Sequence, residues 1–248
     1  MLPDITPQGT LYLIPTPLGE GDLAWILPDE VRQRISLLER FIVEHPKTAR
    51  YFLKQINPLR AIQTLKLEVL DEHTPADKIE TLLAPLLAGE DVGLLSEAGC
   101  PAIADPGGAL VRLAHHNKIR VVPFVGPSSI LLALMASGLN GQRFRFHGYL
   151  PVAPDMRNKE IIRLEQASSR RDETQIFIET PYRNQKLLEA LTQQCHPETD
   201  LCVACNLTRT DEYVSTRSIG EWRTGNWPDL QKKPTVFLLY GQKQSRKF

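Results

Sequence analysis

Apolar residues in this chain occur as short unbroken runs separated by stretches of helical spacing. Leu11-Tyr-Leu-Ile14, Phe41-Ile-Val43, Val92 to Leu95 and Val121-Val122 show no polar alternation, as expected of strands covered on both faces. Between them, Pro28 to Leu38, Lys47 to Gln55, Pro75 to Ala88, Gly107 to His116 and Pro127 to Ala136 read as helices. In Pro75 to Ala88, residues Ile79, Leu82, Leu83, Leu86 and Leu87 share one face and Gly89 follows as a stop, so the spacing predicts a single helix. Strands alternating with helices predict a mostly parallel sheet flanked by helices.

The pattern breaks at Gly138, Gly141, Gly148, Pro151 and Pro154, and this break reads as a hinge. Beyond it, Met156 to Ala167 and Asn184 to Gln194 have helical spacing. Gln175 to Ile178, Leu201 to Cys205, Glu212 to Ser218 and Val236 to Tyr240 read as strands. The last three lack room for long helices between them, which predicts antiparallel pairing and a mixed sheet. The expected organisation is two α/β domains: residues 1–140, a hinge over 141–154, and residues 155–248.

Composition narrows the function. In 248 residues, 29 Lys and Arg balance 29 Asp and Glu, so no global basic excess draws the chain to nucleic acid. Arg157, Lys159, Arg163, Arg170 and Arg171 form a local basic helix and tail, which reads first as a solvated face. No apolar run approaches a membrane span, and Met-Leu-Pro-Asp-Ile-Thr-Pro at the N-terminus lacks the features of a secretory leader. The four cysteines, Cys100, Cys195, Cys202 and Cys205, are a sparse count that fits a reducing cytoplasm. Cys202-x-x-Cys205 has no second pair of ligands. On a strand its two thiols would point to opposite faces, so core thiols are expected and no metal.

Three segments carry candidate chemistry. Pro15-Thr-Pro17-Leu-Gly19, Ser96-Glu97-Ala98-Gly99-Cys100-Pro101 and Gly126-Pro-Ser128-Ser129 each follow an apolar run. Such loops lie at the carboxyl ends of strands, where open α/β sheets bind ligands, and their small residues admit close approach to the backbone. Asp105, in Asp105-Pro-Gly-Gly108, reads as a helix cap, as do Ser128 and Ser129. Gly19-Glu-Gly21-Asp-Leu-Ala24, with Glu44 some way beyond, matches a dinucleotide fingerprint. Two prolines separate it from the strand, however, which argues against that site. Glu72-His73, between Leu65 to Leu70 and Pro75, and Glu179-Thr-Pro-Tyr182-Arg183, at the end of the strand Gln175 to Ile178, add further titratable groups.

At these residues the chain resembles the tetrapyrrole methylase superfamily, and within it the branch that methylates a ribose 2′-hydroxyl of small-subunit ribosomal RNA. The stretches that carry the resemblance are Leu11 to Gly19, Val92 to Gly108, Val121 to Gly138 and Phe144 to Pro151. Ile176 to Arg183 and Val203 to Arg209 match less closely. The branch's Glu-Asp-Thr-Arg run reads Glu44-His-Pro-Lys47 here, its Ser-Asp-Ala-Gly-Thr-Pro loop reads Ser96 to Pro101, and its Arg-Glu-Leu-Thr reads Cys205-Asn206-Leu207-Thr208.

The resemblance implies two α/β domains with a ligand cleft between them, S-adenosylmethionine (SAM) as methyl donor, and a cytoplasmic homodimer. It assigns SAM to Pro15, Pro17, Ser96, Glu97, Ala98, Gly99, Cys100, Ser128, Ser129, Tyr182, Asn206, Leu207 and Thr208. A weakly nucleophilic ribose hydroxyl benefits from a general base, for which Glu44, Glu72, His73, Glu97 and Glu179 are candidates. Two alternatives stay open: a tetrapyrrole carbon as acceptor, and a SAM-binding module without transfer.

Overall fold

In the computed structural model of the chain, which describes residues 8–242, the first apolar runs form a five-stranded sheet. Its strands are β1 (Thr10–Ile14), β2 (Arg40–Val43), β3 (Lys66–Val69), β4 (Val92–Leu95) and β5 (Arg120–Pro123), in the order β3-β2-β4-β1-β5 with every pair parallel. The N-terminal heptapeptide read for a leader lies outside the described residues.

The unbroken apolar runs have a plain cause: the sheet is covered on both faces. Ile14, Phe41, Val43 and Leu95 join one core with Leu27, Ile35, Phe52 and Leu53. Leu11, Ile42, Val92 and Leu94 join another with Leu82, Leu86, Leu110 and Ala114. Gly93 sits at the centre of the sheet because a Cβ there would fall 2.6 Å from Ile14 Cδ1 and 2.8 Å from Phe41 Cδ1.

The covering helices are α1 (Leu23–Ile26), α2 (Asp29–Ser36), α3 (Pro46–Ile56), α4 (Ala76–Thr81), α5 (Ala84–Leu87) and α6 (Gly108–His116). Helix α3 begins on Pro46, buries Ala49, Phe52, Leu53 and Ile56 along one stripe, and stops at Asn57 in the left-handed region, as helix geometry requires. Two local readings are corrected. The stretch from Pro75 to Ala88 is two short helices, because Pro85 has no N–H to give and its ring crowds the carbonyl four residues back. The short helix α1, capped by the Asp22 side chain on Ala24 N, lies ahead of the segment read as the first helix.

Contacts divide the chain into two units, one ending at Ser128 and the other beginning at Ser129. The second unit opens with α7 (Ser129–Ser137), which packs on the second sheet. That sheet comprises β6 (Phe144–Tyr149), β7 (Thr174–Ile178), β8 (Asp200–Cys205), β9 (Tyr213–Ser218) and β10 (Thr235–Tyr240), in the order β6-β7-β10-β8-β9. Strands β6 and β7 are parallel and the other pairs antiparallel, so the sheet is mixed as expected. Strand β6 occupies the segment read as a hinge. Its register shifts between Phe146 and Tyr149, at Gly148 with φ +67°, the mark of a bulge.

Helices α8 (Pro154–Arg171), α9 (Asn184–Gln194) and α10 (Ile219–Thr224) complete this unit. Its core gathers Ile161, Leu164, Phe177, Leu191, Trp222 and Phe237, with Phe177 and Phe237 stacked at 6.1 Å between centroids. Cys205 joins this core and Cys202, three residues earlier on β8, does not, though it too is buried. Among the described residues no helix is long and apolar enough to cross a membrane.

Candidate functional site

Strand order brings the carboxyl ends of β4, β1 and β5 side by side, and the three small-residue loops leave from those ends. The loops are joined by hydrogen bonds. Thr16 N donates to Gly99 O at 2.9 Å and Gly99 N donates to Thr16 O at 3.0 Å. The Thr16 hydroxyl donates to Ser96 O at 3.2 Å, and the Ser96 hydroxyl donates to Gly99 O at 3.1 Å. The Cys100 thiol donates to Pro127 O at 3.4 Å.

Two glycines permit these approaches. Gly99 has φ +79°, a conformation that costs an L-residue about 1 kcal/mol, and a Cβ there would press on Leu18. At Gly126 a Cβ would stand 2.5 Å from Pro15 Cβ, so the loop after β5 lies directly against the loop after β1. Pro15, Ser96 and Gly99 are buried, Pro17, Cys100, Ser128 and Ser129 half-buried, and Glu97 and Ala98 exposed. This rigid web therefore presents Glu97 and Ala98 outward.

Carboxylates gather beside it. Glu44 follows β2, Glu97 follows β4, and Asp105 lies in the loop before α6. Thr48 of α3 donates to Glu97 Oε1 at 2.6 Å. Burial raises the Glu44 carboxyl above the usual carboxylate range, and repulsion from Glu97 raises it further. Its Oε2 is buried without a hydrogen-bond partner. Asp105 is pushed up to about 6, by burial first and then by the charges of Glu44 and Glu97.

Asp105 is a candidate that the sequence reading gave only as a helix cap. Its place ahead of a helix suggested a cap, but the N-cap of α6 is Gly107 at φ +132°, with no side-chain cap. The loop carrying Asp105 holds Ala102 and Ala104 at φ +65° and +63°. Strain of this kind persists only where surrounding structure enforces it. The available signal was the Asp-Pro-Gly-Gly sequence, in which the glycine can start the helix and release the aspartate.

The remaining candidates fall elsewhere. Glu72 and His73 are exposed, with His73 Nε2 3.4 Å from Glu72 Oε1. Glu72 touches the cluster only by raising Glu44 through its charge. In the second unit, Glu179 is buried and engaged: Thr180 N donates to its Oε1 at 2.7 Å, and Arg183 donates to the same oxygen at 2.9 and 2.5 Å. Tyr182 is 74% exposed in the following turn. Asn206 and Leu207 are buried just past β8, with Asn206 and Thr208 at φ +50° and +70°. Asn206 Nδ2 donates to Asp211 at 2.7 Å, whereas its Oδ1 is buried with no partner. The structure thus brings Glu44 and Glu97 together, adds Asp105, and leaves His73 and Glu72 at the surface.

An open cleft of about 620 Å³ lies at the other end of the first sheet. It is lined by Tyr12, Arg34, Arg40, Glu90 and Asp91 among others. Its charges are satisfied internally, Arg34 by Glu30 and Arg40 by Glu68 and Glu90. Among the described residues no group of three His, Cys, Asp or Glu is arranged to hold a metal.

Comparison with known proteins adds a family. The model of the Tetrapyrrole (Corrin/Porphyrin) Methylases matches residues 10–222. Ribosomal RNA small subunit methyltransferase I of Vibrio cholerae is 30% identical over 244 residues, covering 96% of this chain and 80% of that protein. The protein of the same name from Mesorhizobium japonicum is 34% identical over 212 residues, covering 86% and 68%. Among solved structures, the methyltransferase CobJ aligns with a TM-score of 0.60 at 18% identity, over 98% of this chain and 97% of that one. Uroporphyrin-III-C-methyltransferase from Thermus thermophilus aligns with a TM-score of 0.53, also at 18% identity, over 94% and 92%.

Proposed function

Because the chain belongs to the tetrapyrrole (corrin/porphyrin) methylases and is a methyltransferase, we propose that it transfers methyl from SAM to a ribose 2′-hydroxyl of small-subunit ribosomal RNA. The observation that carries the reading is the joined web of three loops with carboxylates beside it. The relatives' shared name supplies the acceptor class.

The residues present fit the donor. Gly99 and Gly126 keep the loop backbones free of side chains where a Cβ would intrude, which leaves peptide edges for a nucleoside. Glu97 and Glu44 offer negative charge toward a cationic group. Asn206 Oδ1, buried and unpartnered, is an acceptor awaiting an N–H donor. The proposed contact set is Pro15, Pro17, Ser96 to Cys100, Ser128 and Ser129 from the first sheet's loops and the start of α7, together with Tyr182 and Asn206 to Thr208.

When bound, SAM supplies a methyl group activated by its sulfonium. The chain's own contribution is to position the acceptor and to take a proton. Asp105, pushed up to about 6, is ionised at neutral pH and more basic than an ordinary aspartate. It is the proposed acceptor of the hydroxyl proton, its basicity raised by burial first and then by the charges of Glu44 and Glu97. Glu97, fixed by Thr48, positions the donor. A cytoplasmic homodimer completes the reading, supported by the family resemblance.

The test uses small-subunit ribosomal RNA from a strain lacking this protein, incubated with methyl-labelled SAM. Label at a ribose 2′-oxygen is expected. Label on a tetrapyrrole and none on RNA would replace the acceptor, and SAM binding without transfer to either would reduce the protein to a SAM-binding module.

A further inference from the structure

The basic tract of the second unit is not absorbed by the chemistry above. Between residues 143 and 171 the sequence holds seven Lys and Arg against three Asp and Glu, in a chain of zero net charge. The fold arranges part of this tract as a strip. Strand β6 is an edge of its sheet. Arg143, just ahead of it, donates to the Arg171 carbonyl at the end of α8 at 3.4 Å, so the start of β6 lies beside the end of α8. Arg145 lies 3.7 Å from Glu173 and remains 53% exposed, whereas Arg163 on α8, 56% exposed, is already paired with both oxygens of Glu160 at 2.6 and 2.7 Å. Two aromatics stand out on the same strand, Phe144 at 42% and Tyr149 at 58% exposure.

Edge strands commonly carry charges and bulges to repel other edges. That accounts for the arginines and for the bulge at Gly148. It does not account for an exposed Phe and Tyr on the same edge, which such a guard would omit. A second copy of this chain is the other occupant to weigh. A two-fold interface sets a patch against itself, and here it would oppose arginines to arginines. Alternating arginines and exposed rings suit a polyanion with stackable bases.

We infer that the edge formed by β6 and α8, with Arg143, Arg145, Phe144 and Tyr149 at its centre, docks single-stranded or looped RNA of the methylation substrate. This inference rests on the ribosomal RNA reading. Arg143 and Arg145 engage phosphates, and Phe144 and Tyr149 stack on bases.

The experiment measures filter binding of small-subunit ribosomal RNA to the full chain across a salt series, for wild type, R143E/R145E and Y149A. Thermal melting, SAM calorimetry and sedimentation are run on each protein. The expected result is at least ~10-fold weaker RNA binding by R143E/R145E, with the log–log salt slope reduced by about two. Y149A is expected to bind about 5- to 100-fold more weakly. SAM affinity is unchanged in both variants, and R143E/R145E melts only slightly lower, having lost the Arg143 bond to the Arg171 carbonyl and the Arg145–Glu173 contact. Wild-type binding that R143E/R145E retains, in affinity and salt slope, overturns the strip and leaves the ribosomal RNA reading standing. Wild type that neither binds nor methylates the RNA overturns both. Loss of self-association in the variants with unchanged RNA affinity overturns the strip in favour of a contact between copies.

Discussion

Thr16 and Gly99 exchange both of their backbone hydrogen bonds, at 2.9 and 3.0 Å, across loops that the sequence separates by more than eighty positions. This bridge fixes the loop after β1 to the loop after β4 and holds Glu97 and Ala98 outward. Gly99 sustains it at φ +79°, so G99A is expected to lose about 1 kcal/mol of stability and to weaken SAM binding. Denaturant unfolding and calorimetry on the same samples check both effects.

Asp105 links burial to pH. Its carboxyl titrates near 6 in the fold, above its ordinary value of 3.8, so between those values the native state holds the proton more tightly than the unfolded chain. The contribution of Asp105 to stability therefore falls as pH rises from about 4 to 6 and is flat above that. D105N is expected to be as stable as wild type at pH 4 and more stable at pH 8. The gain is on the order of 1 kcal/mol once solvent screening of a half-exposed group is allowed for.

Methyl transfer should show the opposite preference. If Asp105 accepts the proton, transfer rises with pH through about 6 and levels off above it. D105N should lose roughly 100-fold or more in rate with SAM affinity little changed. A pH–rate profile for D105N that keeps the wild-type shape and height would remove Asp105 from this role.

Glu179 and Arg183 form a pair whose carboxylate is buried and whose guanidinium is a third exposed. E179A removes the acceptor for Thr180 N and two Arg183 donors. A loss of about 2–3 kcal/mol is expected, below the full cost of a buried pair because Arg183 can reach water. Chemical denaturation measures it.

Cysteine reactivity separates a surface thiol from three core thiols. Cys195, Cys202 and Cys205 are buried and Cys100 is partly exposed, and burial raises all four thiols above their ordinary value. A thiol reagent at neutral pH should modify Cys100 alone, and slowly, in the native protein. The other three should react only after unfolding, which mass spectrometry of labelled peptides would show.

Strands β1, β2, β4, β8 and β10 were legible because their burial leaves unbroken apolar runs, and α3 and α9 because their stripes are regular. Strand β3, Lys66-Leu-Glu-Val69, mixes charged and apolar residues and was not read as a strand. The break at Pro85 was hidden by leucines that keep helical spacing across it. Strand β6 was hidden by Gly148 and the prolines after it, residues that serve a bulge and a connection as readily as a hinge. The three loops could be named from sequence because they follow apolar runs. Their joining through Thr16, Ser96 and Gly99 could not, since strand order decides which loops are neighbours. Asp105 was read as a cap because sequence shows its nearness to α6 but not the charges of Glu44 and Glu97 facing it.

The most direct measurement is calorimetric titration of SAM into wild type and G126V. A valine there places its Cβ 2.5 Å from Pro15 Cβ and must part the loops after β1 and β5. Saturable one-site binding by wild type, weakened at least ~10-fold (about 1.4 kcal/mol) in G126V, is the predicted result. Absence of SAM binding by wild type, or equal binding by a folded G126V, would contradict a donor cradle built from these loops.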